Sequence, residues 1–233
     1  MQDGEVRNVS WRFCIRANAA EAFVTTASPG PDSEESGSES NAAAGSRAYP
    51  SQYASAFTTK AGTEVTIRPI RPSDEPMMIA FHGKLSDRTV YLRYFSTLTL
   101  PRRTAHERLA VICGCDYASE MVLVVEGKDA PTGAPCILAV GRLNKIGSGE
   151  EAEAALLVAD PYQGLGLGTE LLRRLLVFAR DEKIRRVVGE MLRDNLAVQG
   201  IFRRFGFQLR TPESDLSSVQ AELELSENIS GEL

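Results

Sequence analysis

The segment Asp160-Pro161-Tyr162-Gln163-Gly164-Leu165-Gly166-Leu167-Gly168-Thr169 decides how this chain is read. An apolar run, Ala152–Ala159, precedes it and reads as a strand. Leu171, Leu172, Leu175, Leu176 and Ala179 follow at helical spacing and predict an amphipathic helix over about 168–181. Between the two, Gly164, Gly166 and Gly168 let the backbone turn sharply and lie close to a ligand. Free N–H groups of the loop and of the first helical turn then converge, and the helix dipole adds partial positive charge. Such a segment suits a phosphate or diphosphate; the plainer reading is a tight strand-to-helix connection. Spacing excludes two common phosphate loops. Thr169 follows Gly168 directly, without the lysine of a P-loop, and G-x-G-x-G is not the G-x-G-x-x-G of a dinucleotide fold.

Outward from this loop the chain alternates strand and helix signals. Glu64–Pro69 alternates polar and apolar residues as a half-buried strand does, and Ser73-Asp74-Glu75 caps a helix reaching about Phe81. A helix follows Ser86, and another spans Thr104–Cys113. Glu120–Glu126 and Cys136–Leu143 read as strands separated by a Gly/Pro loop. Beyond the central helix come a strand at Arg185–Met191, a short helix at Asn195–Phe205, and closing strands at Phe207–Arg210 and Val219–Leu225. This order implies an α/β or α+β sheet with helices on its faces. Ala27–Arg47 is rich in Ser, Ala, Gly and Glu without apolar periodicity, so it cannot repay the entropy of ordering. Order is expected from about Gly62. The expected organisation is a disordered N-terminal tail over 1–60, a folded domain over 62–212, and a closing strand with an acidic tail over 213–233. Within the tail, Trp11-Arg12-Phe13-Cys14-Ile15 reads as a frayed segment or a small docking patch.

Composition narrows the function. Residues 61–210 carry a net charge of +3 between ends of −2 and −6, too little basic charge for a nucleic-acid partner. The apolar runs are too short to cross a bilayer, and the N-terminus shows no secretory signal, so neither a membrane nor export is expected. Cys14, Cys113, Cys115 and Cys136 lack zinc spacing and, with only His82 and His106 for company, suggest reduced thiols in a cytoplasmic protein without a metal.

Gln163, Gly166 and Gly168 form Gln-x-x-Gly-x-Gly, which resembles motif A of the GNAT N-acetyltransferase superfamily. Ile67-Arg68-Pro69-Ile70-Arg71-Pro72-Ser73-Asp74 resembles its first strand and helix start, and Arg204-Phe205-Gly206-Phe207 its closing signature. Further likeness runs to bacterial protein lysine acetyltransferases acting on acyl-CoA synthetases. It rests on Leu85-Ser86, Tyr91-Leu92-Arg93-Tyr94-Phe95, Ala152-Glu153-Ala154-Ala155 and Val188-Gly189-Glu190-Met191-Leu192. The resemblance spans Thr66–Phe207 and leaves out both tails.

It implies a mixed, mostly antiparallel central sheet splayed at an acetyl-CoA site, with helices on both faces. Acetyl-CoA is then the acyl-donor substrate, its pyrophosphate cradled by Gln163, Gly164, Leu165, Gly166, Leu167, Gly168 and Thr169. Main-chain groups near Leu157 and Val158 hold the pantetheine and polarise the thioester. Asn195, read from the sequence as a helix N-cap, is implied to touch CoA as well. Glu153 is the implied general base. Burial beside Ala154, Ala155 and Leu157 would raise its pKa, whereas a solvent-facing strand glutamate is the plainer alternative; Glu190 stands in reserve. One departure is plain: where many relatives carry a proton-donating tyrosine, seven residues after the asparagine, this chain has Phe202. Tyr91, Arg93 and Tyr94 fall on the acceptor side or simply pack their helix. Arg173 and Arg174 reach toward the adenosine phosphate or lie on a solvated face. The acceptor is expected to be a protein lysine or a small amine. A non-catalytic acyl-CoA sensor is the third reading, and the oligomeric state stays open.

Overall fold

The computed structural model describes residues 48–129 and 132–225. The acidic segment 27–47, the Trp11–Ile15 patch, Cys14 and residues 226–233 lie outside the described residues. One eight-stranded sheet dominates. Its strands are β1 (Ser55–Thr58), β2 (Glu64–Pro69), β3 (Glu120–Lys128), β4 (Pro135–Ile146), β5 (Glu151–Val158), β6 (Arg186–Leu192), β7 (Gln208–Arg210) and β8 (Ser218–Glu224). Their spatial order is β1-β2-β3-β4-β5-β6-β8-β7. Every neighbouring pair is antiparallel except β5 and β6, so the sheet is mixed and mostly antiparallel, as expected.

Helices cover both faces. On one side α5 (Leu167–Asp181) lays Leu171, Leu172, Leu175, Leu176 and Phe178 against Met121, Leu123 and Val125 of β3. On the other, α1 (Glu75–Gly83), α2 (Asp87–Tyr94) and α4 (His106–Cys113) bring Met78, Phe81, Val90 and Leu109 onto Val122 and Val124. Strand β3 is therefore buried on both faces, which is why it reads as an unbroken apolar run rather than an alternation. The last helix, α6 (Leu196–Arg204), shares the α5 face.

Two elements escaped the sequence reading. A four-residue helix, α3 (Leu100–Arg103), precedes α4, which starts at His106 rather than Thr104. More consequential is β1, which lies ahead of Gly62, where order was expected to begin. Three of its four residues are exposed, so it carries no apolar alternation. It is held from outside itself. The buried Arg174 guanidinium of α5 donates to Ser55 Oγ at 2.7 Å and to the Ser55 and Ala56 carbonyls. Tyr53 adds an edge-to-face contact with Phe178 at 5.4 Å. Arg174 is thus neither on a solvated face nor free for a phosphate, because Glu170 and the β1 carbonyls claim its donors.

The sheet opens at one point. Along its whole length β5 pairs with β4, but with β6 it pairs only at Glu151–Glu153 against Arg186–Val188. Beyond Glu153 the two strands diverge while β6 continues beside β8. At that divergence Phe202 of α6 packs onto Gly189 of β6. A Cβ added at Gly189 would stand 2.6 Å from Phe202 Cε1 and 3.3 Å from the Ala154 carbonyl. Gly189→Ala is therefore expected to lower unfolding stability by about 2 kcal/mol through overpacking, measured by urea denaturation.

Candidate active site

The opening between β5 and β6 exposes main chain, and hydrogen-bond parity tells which groups. Ala159 N–H donates to Leu138 O of β4, while Glu150 O accepts from Arg185 and Arg186 at the β6 side. Alternation along the strand then directs the N–H and C=O of Ala154, Leu156 and Val158 into the gap, and those of Leu157 toward β4. Leu157 contributes its buried side chain to the core on the α2 face. Main-chain groups near Leu157 and Val158 are the ones expected from the sequence at this opening; parity turns those of Val158 and Leu156 toward it.

Past the gap the chain enters the glycine loop. Gly164 has φ +77° and Gly166 φ +89°, conformations that L side chains rarely adopt, and Gly166 is the N-cap of α5. The first-turn amides of α5 have no intrahelical acceptor, and they end at this loop. Gly168 is needed for closeness instead: a Cβ there would come within 3.0 Å of Ile201 Cδ1, so α6 lies against the first turn of α5. One residue here was missed. Lys60, in the β1–β2 turn, donates its N–H to Leu165 O at 3.1 Å and runs its side chain alongside Gly166. The sequence reading assigned Lys60 to the tail, and no local pattern marks it.

The loop is braced from the opposite side. Gln163 Nε2 donates to Val158 O and to Thr89 Oγ1, each at 3.2 Å. Its side chain thereby closes one carbonyl of the gap and ties the loop to α2. Asp160 accepts from Ser86 N, Ser86 Oγ and Thr89 Oγ1 at 2.9, 2.6 and 3.0 Å. Burial pushes its carboxyl up, but those bonds outweigh that and hold it below the usual carboxylate range.

Glu153 sits where β5 loses β6. Its side chain lies on the α2 face and is 7% exposed. Burial pushes its carboxyl up to about 7; Glu190 adds to the rise, and Arg93 and Arg142 oppose it. The solvent-facing alternative is therefore excluded. A buried carboxylate that exchanges its proton near neutral pH, where β5 loses its β6 partner, can take a proton from a nucleophile held in the gap.

Residues 64–208 match the family model described as Acetyltransferase (GNAT) domain. The chain belongs to the GNAT acetyltransferase family. Its relatives include acetyltransferase Pat of Mycolicibacterium smegmatis, 32% identical over 142 residues that make up 60% of this chain and 40% of Pat. An acetyltransferase of Pseudomonas aeruginosa is 26% identical over 166 residues, 68% of this chain and 82% of the relative. The chain thus matches less than half the length of Pat but most of the second protein. Among solved structures, the GNAT domain of S. lividans PAT aligns with a TM-score of 0.67 at 25% identity, covering 76% of this chain and 99% of that domain. The family and fold expected from the sequence are both borne out.

The other expected GNAT site residues scatter in role. Asn195 caps α6, its Oδ1 accepting from Val198 N at 3.4 Å. Phe202 is buried, edge-to-face with Phe207 at 4.7 Å, and has no proton to give. Arg173 pairs with Glu170 at 2.8 Å. On α2, Tyr91 is exposed, whereas Arg93 stands over the Tyr94 ring at 5.1 Å and Arg108 of α4 over the same ring at 5.0 Å. Burial pulls Arg93 below its usual pKa. Cys113, Cys115 and Cys136 are free and buried. Among the described residues no helix is long and apolar enough to cross a membrane, and no three metal-binding side chains cluster.

Glu153 also makes stability depend on pH. Between 4.5 and about 7 the folded protein keeps a proton that the unfolded chain has lost. Its contribution is complete below pH 4.5 and declines as pH rises through 7, by roughly 3 kcal/mol in all. Glu153→Gln should flatten that decline and be the more stable protein at pH 8, read from urea unfolding across pH 5–8.

Proposed function

We propose that this GNAT domain transfers an acetyl group from acetyl-CoA to a primary amine, a protein lysine, with Glu153 as general base. The observation that carries the reading is the buried Glu153, poised near neutral pH at the mouth of the β5–β6 opening. The donor fits the same opening. Main-chain groups of Leu156 and Val158 lie where a pantetheine would pair as a strand, with the Leu157 side chain behind them. The amides around Gln163, Gly164, Leu165, Gly166, Leu167, Gly168 and Thr169 suit the pyrophosphate. Asn195 borders the site from α6.

A lysine ammonium, with an ordinary pKa of about 10.4, must first lose a proton. Glu153 accepts it, directly or through water. The amine nitrogen then attacks the thioester carbon, an N–C bond forms and the C–S bond breaks. An amide from the β5 edge stabilises the charge on the carbonyl oxygen. As the adduct collapses, its nitrogen loses a second proton to water, which passes it to the leaving thiolate, since Phe202 supplies none.

Two features favour a protein acceptor. The Tyr91–Phe95 and Ala152–Ala155 segments resemble protein lysine acetyltransferases. The charged groups felt by Glu153 are Arg93, Arg142 and Glu190, not the ring of acids that would draw a small polycation. The free cysteines suit a reducing cytoplasm. The catalytic unit extends from β1 to β8, beyond the 62–212 span marked by sequence pattern.

Acetyl-CoA should bind the full chain by calorimetry and fail to bind Gly166→Glu, whose carboxylate would stand at the pyrophosphate position. Absence of wild-type binding would remove the reading. Initial rates of lysine-peptide acetylation should rise with pH through about 7. Glu153→Gln should lose that limb and about 10²–10⁴ in kcat while still binding acetyl-CoA; full activity in this variant would move the base to Glu190. Phe202 favours a second reading, a non-catalytic acyl-CoA sensor, and binding without transfer to any amine would select it.

A further inference from the structure

We infer that Lys60 supplies a cation to the donor's diphosphate, so that the N-terminal hairpin completes the acyl-donor site. The inference rests on the reading above and adds a residue to it. A Cβ built on Gly166 would meet Lys60 Cγ, Cδ and Cε at 3.5, 3.8 and 3.6 Å. The lysine stem therefore runs alongside the loop at the N-cap of α5, on the exposed side of the loop. Its ammonium is one bond of about 1.5 Å beyond Cε. It lies within roughly 5 Å of the same point, within reach of a group bound at the loop.

The position is held. Lys60 N–H donates to Leu165 O at 3.1 Å. The turn is closed by Thr59 N to Thr63 O and Gly62 N to Thr59 O, each at 2.9 Å. The strand before it is anchored by Arg174, itself paired with Glu170 in the first turn of α5. The helix that presents its amides to the diphosphate thus also fixes the hairpin that brings the cation. Among the described residues no carboxylate pairs with Lys60, so its charge is uncommitted. Neutral amides orient phosphate oxygens, and a nearby ammonium adds a charge-assisted bond that they cannot.

The test is acetyl-CoA affinity by calorimetry in the full chain, with S-acetylpantetheine, which lacks the diphosphate, as the truncated donor. Lys60→Ala should weaken acetyl-CoA binding about tenfold and flatten its dependence on salt. It should leave S-acetylpantetheine binding and the thermal midpoint unchanged, and Lys60→Arg should restore affinity. Unchanged acetyl-CoA affinity in Lys60→Ala would overturn the inference while leaving the function intact. An equal loss for both donors would overturn it too, since Lys60 would then act through the fold. A wild-type chain that binds neither donor would remove this inference together with the function beneath it.

Discussion

A strand inside a sheet has hydrogen-bonding groups on both edges, and a buried amide or carbonyl without a partner is costly. Strand β5 satisfies one edge against β4 and abandons the other after Glu153. The surrounding elements answer that constraint. Gln163 returns to take the Val158 carbonyl, β6 turns away to β8, and α5 begins where β5 ends. What stays unpaired by β6 is the edge of β5 beyond Glu153, whose titratable carboxyl marks where the pairing stops.

The two sides of the opening are mechanically joined. Helix α2, which carries Tyr91, Arg93 and Tyr94, starts at Ser86, and its first turn is bonded to Asp160 and Gln163. Those two residues belong to the segment running into the glycine loop. The glycine loop and the helix beside Glu153 are therefore held to one another by side-chain hydrogen bonds. Helix α2 thus touches both the glycine loop, through Ser86 and Thr89, and the surroundings of Glu153, through Arg93, although it lies far from β5 in sequence.

Most of this was legible beforehand, and the exceptions share a cause. The glycine loop, the α5 stripe and the alternating strands are local patterns, so Gly164, Gly166 and Leu171 announce their roles within a few residues. Glu153 is also half legible: its apolar strand neighbours predict a raised pKa, but Arg93, Arg142 and Glu190 come from other elements and appear only after folding. The choice of Val158 over Leu157 for the main-chain edge depends on strand parity, which no composition encodes. β1 and Lys60 were invisible because their ordering force comes from Arg174, more than a hundred residues downstream. Arg174 misled in turn, since an arginine amid leucines on a helix looks solvated until the strand that covers it is known.

The hairpin formed by β1 and β2 has a bearing on how this domain can be handled. Similarity to the family begins at residue 64, and sequence pattern places the start of order near 62. A protein trimmed at either point would lose β1 and present β2 as a bare outer edge, with the row of unpaired amides that invites edge-to-edge association. It would also strip the Ser55 and Ala56 acceptors from the buried Arg174 guanidinium. Insolubility of such a fragment would then report a missing strand rather than an unstable family fold, and starting the chain ahead of Tyr49 avoids the ambiguity.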